Sequence, residues 1–169
     1  MRTCWVLDHP AHVRLLAPFI RSGTTSDVLI VTNRVEVRRL MESSEGVLPI
    51  RQQLWVERPI GAKRVRIAWK RMRGVRRFLK DAQRSGKRFE RIVSIGAPLE
   101  LRVAKRLKIA KRWYITDTEV NHLAHRLASK AVTDVLVPTH WDSSIDGGWV
   151  EQFKKIGATI NRLNGLHGM

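Results

Sequence analysis

Cysteine and long apolar runs are nearly absent from this chain. The single cysteine, Cys4, excludes an internal disulfide and gives no cysteine-based metal cluster, which fits a reducing cytoplasm. No apolar stretch approaches the roughly 20 residues that cross a bilayer, and no apolar segment with a small-residue cleavage site opens the chain. We therefore expect a cytoplasmic protein, at most peripheral to the inner face of the cell membrane.

Acidic residues are scarce as well. There are 15 Asp and Glu against 32 Lys and Arg, which gives a formal net charge of +17 over 169 residues. An excess of this size implies an anionic partner, which is nucleic acid, an acidic membrane surface or a phosphorylated ligand. The hydrophobic fraction of 43% is that of a globular chain, and the length suits one domain with a real core.

Short runs rich in Val and Ile alternate with stretches of helical spacing along the chain. Strands are predicted at residues 3–7, 27–32, 47–50, 91–95, 113–116 and 134–137, and residues 158–163 are a candidate final strand. The third of these strands, at 47–50, has an irregular exit at 54–56. Continuous apolar strands are typical of parallel sheets that are covered on both faces. The order predicts an α/β, Rossmann-like three-layer domain over residues 1–165, with a mostly parallel sheet of about six strands.

A polar cluster made of Asp8, His9, Pro10 and His12 follows the first strand. Asp8 is predicted to cap the next helix and Pro10 suits its first turn, as Asn33 is predicted to cap the second helix. Two histidines in four residues are not explained by capping, and such a loop commonly holds phosphate or sugar groups at a helix N-terminus. There is no Gly-rich dinucleotide fingerprint. Metal binding by His9 and His12 is a weaker alternative, since no further ligand cluster is adjacent, and no metal is expected.

Two more polar clusters follow later strands. Ser94 and Gly96 come after the fourth strand and allow close backbone approach at a helix N-terminus. After the fifth strand the cluster comprises Asp117, Thr118, Glu119, Asn121 and His122. Capping the following helix requires only one side chain, so five polar side chains at these positions favour a binding site. In an open parallel sheet the carboxyl ends of the strands share one edge, where ligands bind, and we expect the three clusters to converge there.

Residues 63–91 carry 13 Lys or Arg against Asp81 and Glu90. Apolar positions at steps of three and four predict an amphipathic helix packed on the sheet, along the stripe 65, 68, 72, 75, 79 and 82. Ile67 and Phe78 are expected on the opposite side, among the arginines. This pattern favours contact with acidic lipid headgroups, through Arg66, Lys70, Arg73, Arg76, Arg77 and Lys80. Nucleic acid is the alternative partner, although no recognised nucleic-acid motif is present.

Together these motifs resemble a known family. The stretches Asp8-His-Pro-Ala-His-Val13, Ser94-Ile-Gly-Ala-Pro98, Asp117-Thr-Glu119 and Val137-Pro-Thr139 look like the N-terminal half of an uncharacterised, largely archaeal, glycosyltransferase-like family. That family is related at fold level to the UDP-N-acetylglucosamine 2-epimerases. The resemblance runs from Thr3 to about residue 165 and implies a GT-B architecture, in which two Rossmann-like domains face each other across a cleft.

The resemblance also implies roles for individual residues. Glu119 matches the position of an epimerase active-site glutamate, and Asp8 and His9 fall in the first loop, which lines the cleft. Glu119 or Asp117 would act as a general base on an acceptor hydroxyl, with His9 or His12 as the alternative base. The expected substrate-binding residues are Asp8, Pro10, His12, Ser94, Gly96, Thr118, Asn121, His122 and Thr139.

Family members continue into a second domain that holds the nucleotide sugar, whereas residues 166–169 are expected to be only a truncated tail. The expected function is therefore the acceptor-binding half of a nucleotide-sugar-dependent glycosyltransferase, or an epimerase-like half-enzyme, inactive alone. No cofactor is expected on this domain; the nucleotide sugar is expected on a partner domain or chain, and the acceptor is expected to be a phosphorylated lipid or another anionic molecule. The alternatives are a noncatalytic subunit that recruits a transferase to the membrane, a truncated remnant, and a nucleic-acid-binding protein that uses helix 63–91.

Overall fold

A single parallel sheet runs through the computed structural model, which describes residues 1–43, 48–86 and 88–164. Seven strands form it among the described residues: β1 (Thr3–Leu7), β2 (Val28–Thr32), β3 (Gln52–Val56), β4 (Arg91–Ile95), β5 (Lys111–Ile115), β6 (Asp134–Pro138) and β7 (Thr159–Leu163). In the same described ranges six helices connect the strands: α1 (Pro10–Arg21), α2 (Val35–Glu42), α3 (Arg64–Arg84), α4 (Pro98–Arg106), α5 (His122–Ala128) and α6 (Trp149–Lys155). The predicted α/β class and three-layer arrangement are confirmed.

The strand order is β3-β2-β1-β4-β5-β6-β7, and every neighbouring pair is parallel. Strand β1 is therefore central. Its Trp5 lies opposite Leu29 of β2 on one side and Val93 of β4 on the other. The chain winds outward from β1 in one direction through β3 and then crosses over to β4, so the winding reverses between β1 and β4.

Alternate residues of each strand feed two separate cores. In β1, Cys4 and Val6 belong to the core beneath α3, α4, α5 and α6, whereas Trp5 and Leu7 belong to the core beneath α1 and α2. A strand whose successive side chains are all buried must be covered on both faces. The unbroken burial of β1 and β2 thus follows from their central place between two helix layers.

Several local predictions need correction. The side chain that caps α1 is His9, which accepts from Ala11 N, because the carboxylate of Asp8 is engaged elsewhere. Asn33 does not cap α2, whose N-cap is Arg34; the Asn33 side chain accepts from Arg38 instead. The third strand begins only at Gln52, and the predicted start at residue 47 lies outside the described residues.

The packed stripe of α3 differs from the predicted one. The buried positions are Arg71, Val75, Leu79 and Ala82, so the predicted positions 75, 79 and 82 are confirmed, Met72 packs in part against the core, and Arg71 is an unpredicted member. Val65 is exposed. Phe78 packs in part against the core and was wrongly expected among the arginines. The helix also ends at Arg84, and residue 87 of the predicted basic stretch lies outside the described part of the chain.

No helix in the described ranges is both long enough and apolar enough to cross a membrane.

Candidate functional site

The point where the winding reverses creates a crevice at the carboxyl edge of the sheet. After β1 the chain turns into α1 on one face, and after the neighbouring β4 it turns into α4 on the other face. Divergent connections at adjacent strands leave a gap, and open α/β sheets bind ligands there. Asp8 follows β1, Gly96 follows β4, and the 116–121 loop follows β5, the next strand along. The three predicted clusters therefore lie on one edge of the sheet.

A groove of about 600 Å³ opens from this crevice on the face that carries α3, α4 and α5. Asp8, Gly96 and Asn121 are the predicted site residues that line it. Gly96 has a left-handed φ of 60°, and a Cβ added there would meet nothing within 4 Å, so the turn into α4 borders open space. The volume is in the range of small-molecule sites, roughly 300–1,000 Å³.

Two ion pairs form the floor of the groove. Arg71 Nε donates to Glu100 Oε1 at 2.5 Å, and the exposed fractions of the two side chains are only 3% and 1%. Arg71 Nη1 also lies 3.7 Å from Asp8 Oδ1 and donates to the carbonyl oxygen of Glu57 at 3.3 Å. Charges this deeply buried persist only when they are paired. The pairing thus links α3 to α4 and to the end of β1.

Asp8 is held by more than Arg71. Its Oδ1 accepts a hydrogen bond from Thr32 Oγ1, and its Oδ2 lies 3.4 Å from Arg34 Nη2. Both carboxylate oxygens are therefore occupied. This arrangement suits a fixed negative charge that positions its neighbours better than it suits a proton acceptor.

Glu100 has the opposite property. Its Oε2 is buried and has no hydrogen-bond partner among the described residues. Buried polar atoms are nearly always paired, and an orphan in a native fold calls for a ligand, a water or a functional role. Glu100 lines the groove, so this unpaired and buried oxygen lies close to the groove floor.

The two histidines after β1 lie on the α1 side of the sheet edge, with their ring centroids 5.8 Å apart. His12 Nδ1 accepts from the backbone N–H of Asp8 at 3.3 Å. Burial lowers the pKa of His12 from 6.5 to about 4, and Asp8 and Asp117 oppose that shift only in part. His12 is thus neutral near pH 7 and a weak proton acceptor, since an efficient general base has a pKa near the working pH.

The pH dependence of the unfolding free energy should reflect the lowered pKa of His12. Between pH 6.5 and about 4 the unfolded chain binds a proton at residue 12 that the folded chain does not, so the unfolding free energy should fall as the pH falls. In the His12→Gln variant the fall over this window should be smaller. Urea unfolding at a series of pH values measures both slopes. Above pH 7 the difference between the two proteins should be constant, and equal slopes below pH 6.5 would contradict the assignment.

The loop after β5 is shaped by His125, which is fully buried. Its Nε2 lies 3.0 Å from the carbonyl oxygen of Thr118 and 3.1 Å from that of Glu119. Two acceptors require that Nε2 carry the proton, which leaves Nδ1 to accept from the Tyr114 hydroxyl at 3.2 Å. Burial also lowers the pKa of His125. This histidine fixes the loop and is not available to a ligand.

The side chains of that loop have separate roles. Asn121 caps α5 by accepting from Ala124 N at 3.4 Å, so neither Asp117 nor Thr118 serves as the cap. Glu119 is half-buried, and its Oε1 accepts from Asp142 N at 3.3 Å. Asp117 is exposed and accepts from the Thr118 hydroxyl at 3.1 Å. Glu119 and Asp117 therefore remain at the edge of the sheet, outside the lining of the groove.

Four other predicted substrate-binding residues lie away from the groove lining. Ser94 is fully buried, and its hydroxyl donates to Ala97 O at 2.5 Å, so it shapes the turn into α4. His122 accepts from Trp149 Nε1 at 2.9 Å. Thr139 follows β6 and donates to Asn164 at 2.5 Å. Pro10 occupies the first turn of α1, as predicted.

The basic face of α3 is exposed at every predicted position, namely Arg66, Lys70, Arg73, Arg76, Arg77 and Lys80. Arg73 stacks over the Trp69 ring at 4.4 Å, and Lys70 lies 3.9 Å from Glu57. Exposed pairs of this kind contribute little to stability. The face is thus a solvated cationic surface that borders the groove at Trp69.

Sequence reasoning missed the ion pairs of the floor and the apolar walls of the groove. Arg71 stands four residues before the buried Val75, and this spacing was the available signal for its burial. Glu100 follows Pro98 in the first turn of α4, where an acidic residue ordinarily complements the helix dipole. Only the packing of α3 on α4 shows that the two side chains meet.

Within the described ranges, no three or more His, Cys, Asp and Glu side chains are grouped so that they could hold a metal ion. Comparison with models of known protein families and with curated proteins finds no match to this chain.

Proposed function

We propose that this domain is the acceptor-binding half of a nucleotide-sugar-dependent glycosyltransferase and acts at the cytoplasmic membrane surface. The observation that carries the proposal is the groove at the reversal point of the sheet. It is a small-molecule cavity with an unpaired buried carboxylate oxygen at its floor. Carboxylates of a neighbouring loop stand at the same edge of the sheet.

The reaction needs few groups from this domain. An acceptor hydroxyl loses its proton to a carboxylate, for which Glu119 is preferred, with Asp117 as the alternative. The acceptor oxygen forms a bond to the anomeric carbon, and the bond from that carbon to the nucleotide phosphate breaks, with its electron pair leaving on the phosphate. Arginines near the crevice offset the charge that develops there. The nucleotide sugar is supplied by a separate donor-binding domain.

The exposed basic face of α3 supports a second candidate, a noncatalytic subunit that recruits a transferase to an anionic surface. Clustered Lys and Arg near an acidic leaflet each contribute about 1 kcal/mol to adsorption. This candidate needs the basic face but neither the groove nor Glu119.

Reconstitution distinguishes the two candidates. The chain is incubated with a labelled nucleotide sugar and an acceptor, first alone and then with a candidate donor-binding domain. We expect no transfer by the chain alone, because the near-attack geometry that two domains create is worth roughly 7–11 kcal/mol. Transfer only in the presence of both parts supports the half-enzyme. Turnover by the isolated chain would contradict it, and a donor half that is fully active without this chain would favour recruitment.

A further inference from the structure

Four apolar side chains on the walls of the groove are more than half exposed. They are Ile60 in the loop before α3, Val65 and Trp69 in the first turns of α3, and Leu123 in α5. An exposed apolar patch with a polar rim marks a binding surface on a soluble protein. All four belong to one groove, so its ligand has a substantial apolar part.

The charges at the floor of the groove are paired within the protein. Arg71 pairs with Glu100 and Asp8, and Arg34, which does not line the groove, pairs with Asp8, so the four formal charges of this network cancel. The remaining feature of the floor is Glu100 Oε2, an acceptor without a partner.

The rim is strongly cationic. Arg58, Arg64 and Arg102 line the groove, and none of them forms an ion pair with a carboxylate in the described ranges. Guanidinium groups bind phosphate oxygens through pairs of parallel hydrogen bonds. An anionic phosphate at the rim would offset charges that the protein itself leaves unpaired.

The size of the groove distinguishes among amphipathic anions. A volume of about 600 Å³ lies in the range of small-molecule sites, roughly 300–1,000 Å³. A polynucleotide would engage the arginines but leave the apolar walls in water. A single phosphorylated chain fits walls, rim and volume together.

We propose that the groove binds a lipid phosphate, that is, a long apolar chain joined through phosphate to a hydroxyl-bearing headgroup. The chain lies between Val65, Trp69 and Leu123, and the phosphate meets the rim arginines. The assignment rests on the proposed function only in naming this lipid as the acceptor; the binding itself is independent of any transfer.

The test uses soluble alkyl phosphates as probes, below the concentrations at which they form micelles. Isothermal titration calorimetry compares inorganic phosphate, hexyl phosphate, octyl phosphate and decyl phosphate. Affinity should rise with chain length, by up to about fourfold for each added methylene, because burial of one CH₂ is worth about 0.8 kcal/mol. Equal affinity for inorganic phosphate and decyl phosphate would overturn the proposal.

Variants locate the site. Val65→Asp and Leu123→Asp should each weaken decyl phosphate binding by at least about tenfold, because a carboxylate would face the chain and the phosphate. Phe19→Asp and Val35→Asp are matched controls on the opposite face of the sheet, since their exposures of 59% and 61% compare with 76% for Val65 and 68% for Leu123. A loss as large in the controls as in the groove variants would overturn the assignment.

Vesicles of phosphatidylcholine with phosphatidic acid separate the groove from simple adsorption. The groove variants should lose decyl phosphate binding, whereas reversal of Arg73, Arg76, Arg77 and Lys80 to Glu should abolish only adsorption to vesicles. A control variant in which Arg106, Lys108, Lys130 and Lys155 are replaced by Glu has the same net charge as the α3 variant. It should adsorb to the vesicles as the unmodified protein does. If the α3 reversal also abolished decyl phosphate binding, the basic face and not the groove would be the site. If the protein binds lipid phosphate but no reconstituted mixture transfers a sugar, the proposed function is wrong. The inference about the groove would still hold.

Discussion

Replacement of Glu100 by alanine should lower the unfolding free energy by roughly 3–5 kcal/mol, the usual cost of removing one partner of a buried ion pair. Arg71 would keep its charge with only 3% of its side chain exposed. Asp8, 3.7 Å away, and the Glu57 carbonyl would compensate in part, so the lower end of the range is expected. Domains are stable by only about 5–15 kcal/mol, so this single change removes a large share of the total.

Urea unfolding followed by tryptophan fluorescence measures the effect. The matched control is Glu151→Ala, because Glu151 pairs with Lys154 at 2.7 Å on an exposed surface and its loss should cost less than about 1 kcal/mol. The double variant Arg71→Leu with Glu100→Leu should recover much of the loss, since no unpaired charge then remains. A Glu100→Ala cost as small as that of Glu151→Ala would mean that the floor of the groove is hydrated.

Glu119→Gln should reduce the turnover of the reconstituted transferase by roughly 10²–10⁴-fold, the usual contribution of a general base. The substitution keeps the shape of the side chain and its capacity to accept from Asp142 N, which lies 3.3 Å from Oε1. The loss should therefore appear in kcat and leave the unfolding free energy nearly unchanged.

Asp117→Asn is the companion variant, since both carboxylates belong to the same loop but Asp117 is exposed and Glu119 is half-buried. Closure of a donor domain over the loop would remove water from the more buried carboxylate first. Full activity of the Glu119→Gln complex would remove Glu119 from the mechanism. Asp117, His9 and His12 would then be tested in turn.

The strands were the easiest part of the fold to predict. Val28–Thr32 is apolar up to its last residue and β-branched at every position except Leu29, and such a run has few alternatives to a strand covered on both faces. The edge strand β3 was harder, because Gln52 and Gln53 at its start are exposed and carry no apolar signal. Its boundary depends on pairing with β2, which is a tertiary contact.

The position of the candidate site at the carboxyl edge of the sheet could be predicted from the order of strands and helices. The roles of its individual residues could not. A polar residue after a strand can cap, position or bind, and its neighbours in space decide among these roles. Asn121 caps α5, and the buried His125 donates a hydrogen bond to the backbone of the loop after β5. Ser94 donates a hydrogen bond that shapes the turn into α4. The groove itself is formed by α3, α4 and α5, whose relative packing is not encoded in any local pattern.

The central position of β1 also has a consequence for synthesis on the ribosome. Its Thr3 pairs with Arg91, so one edge of the first strand made has no native partner until another 88 residues have been added. Because synthesis adds roughly 5–20 residues per second, that edge stays unpaired for on the order of 5–20 s. During this interval a continuous Cys-Trp-Val-Leu strand presents unpaired backbone groups, a template for association with other nascent chains. The same central strand that organises the finished sheet is thus exposed to association with other chains while the protein is being made.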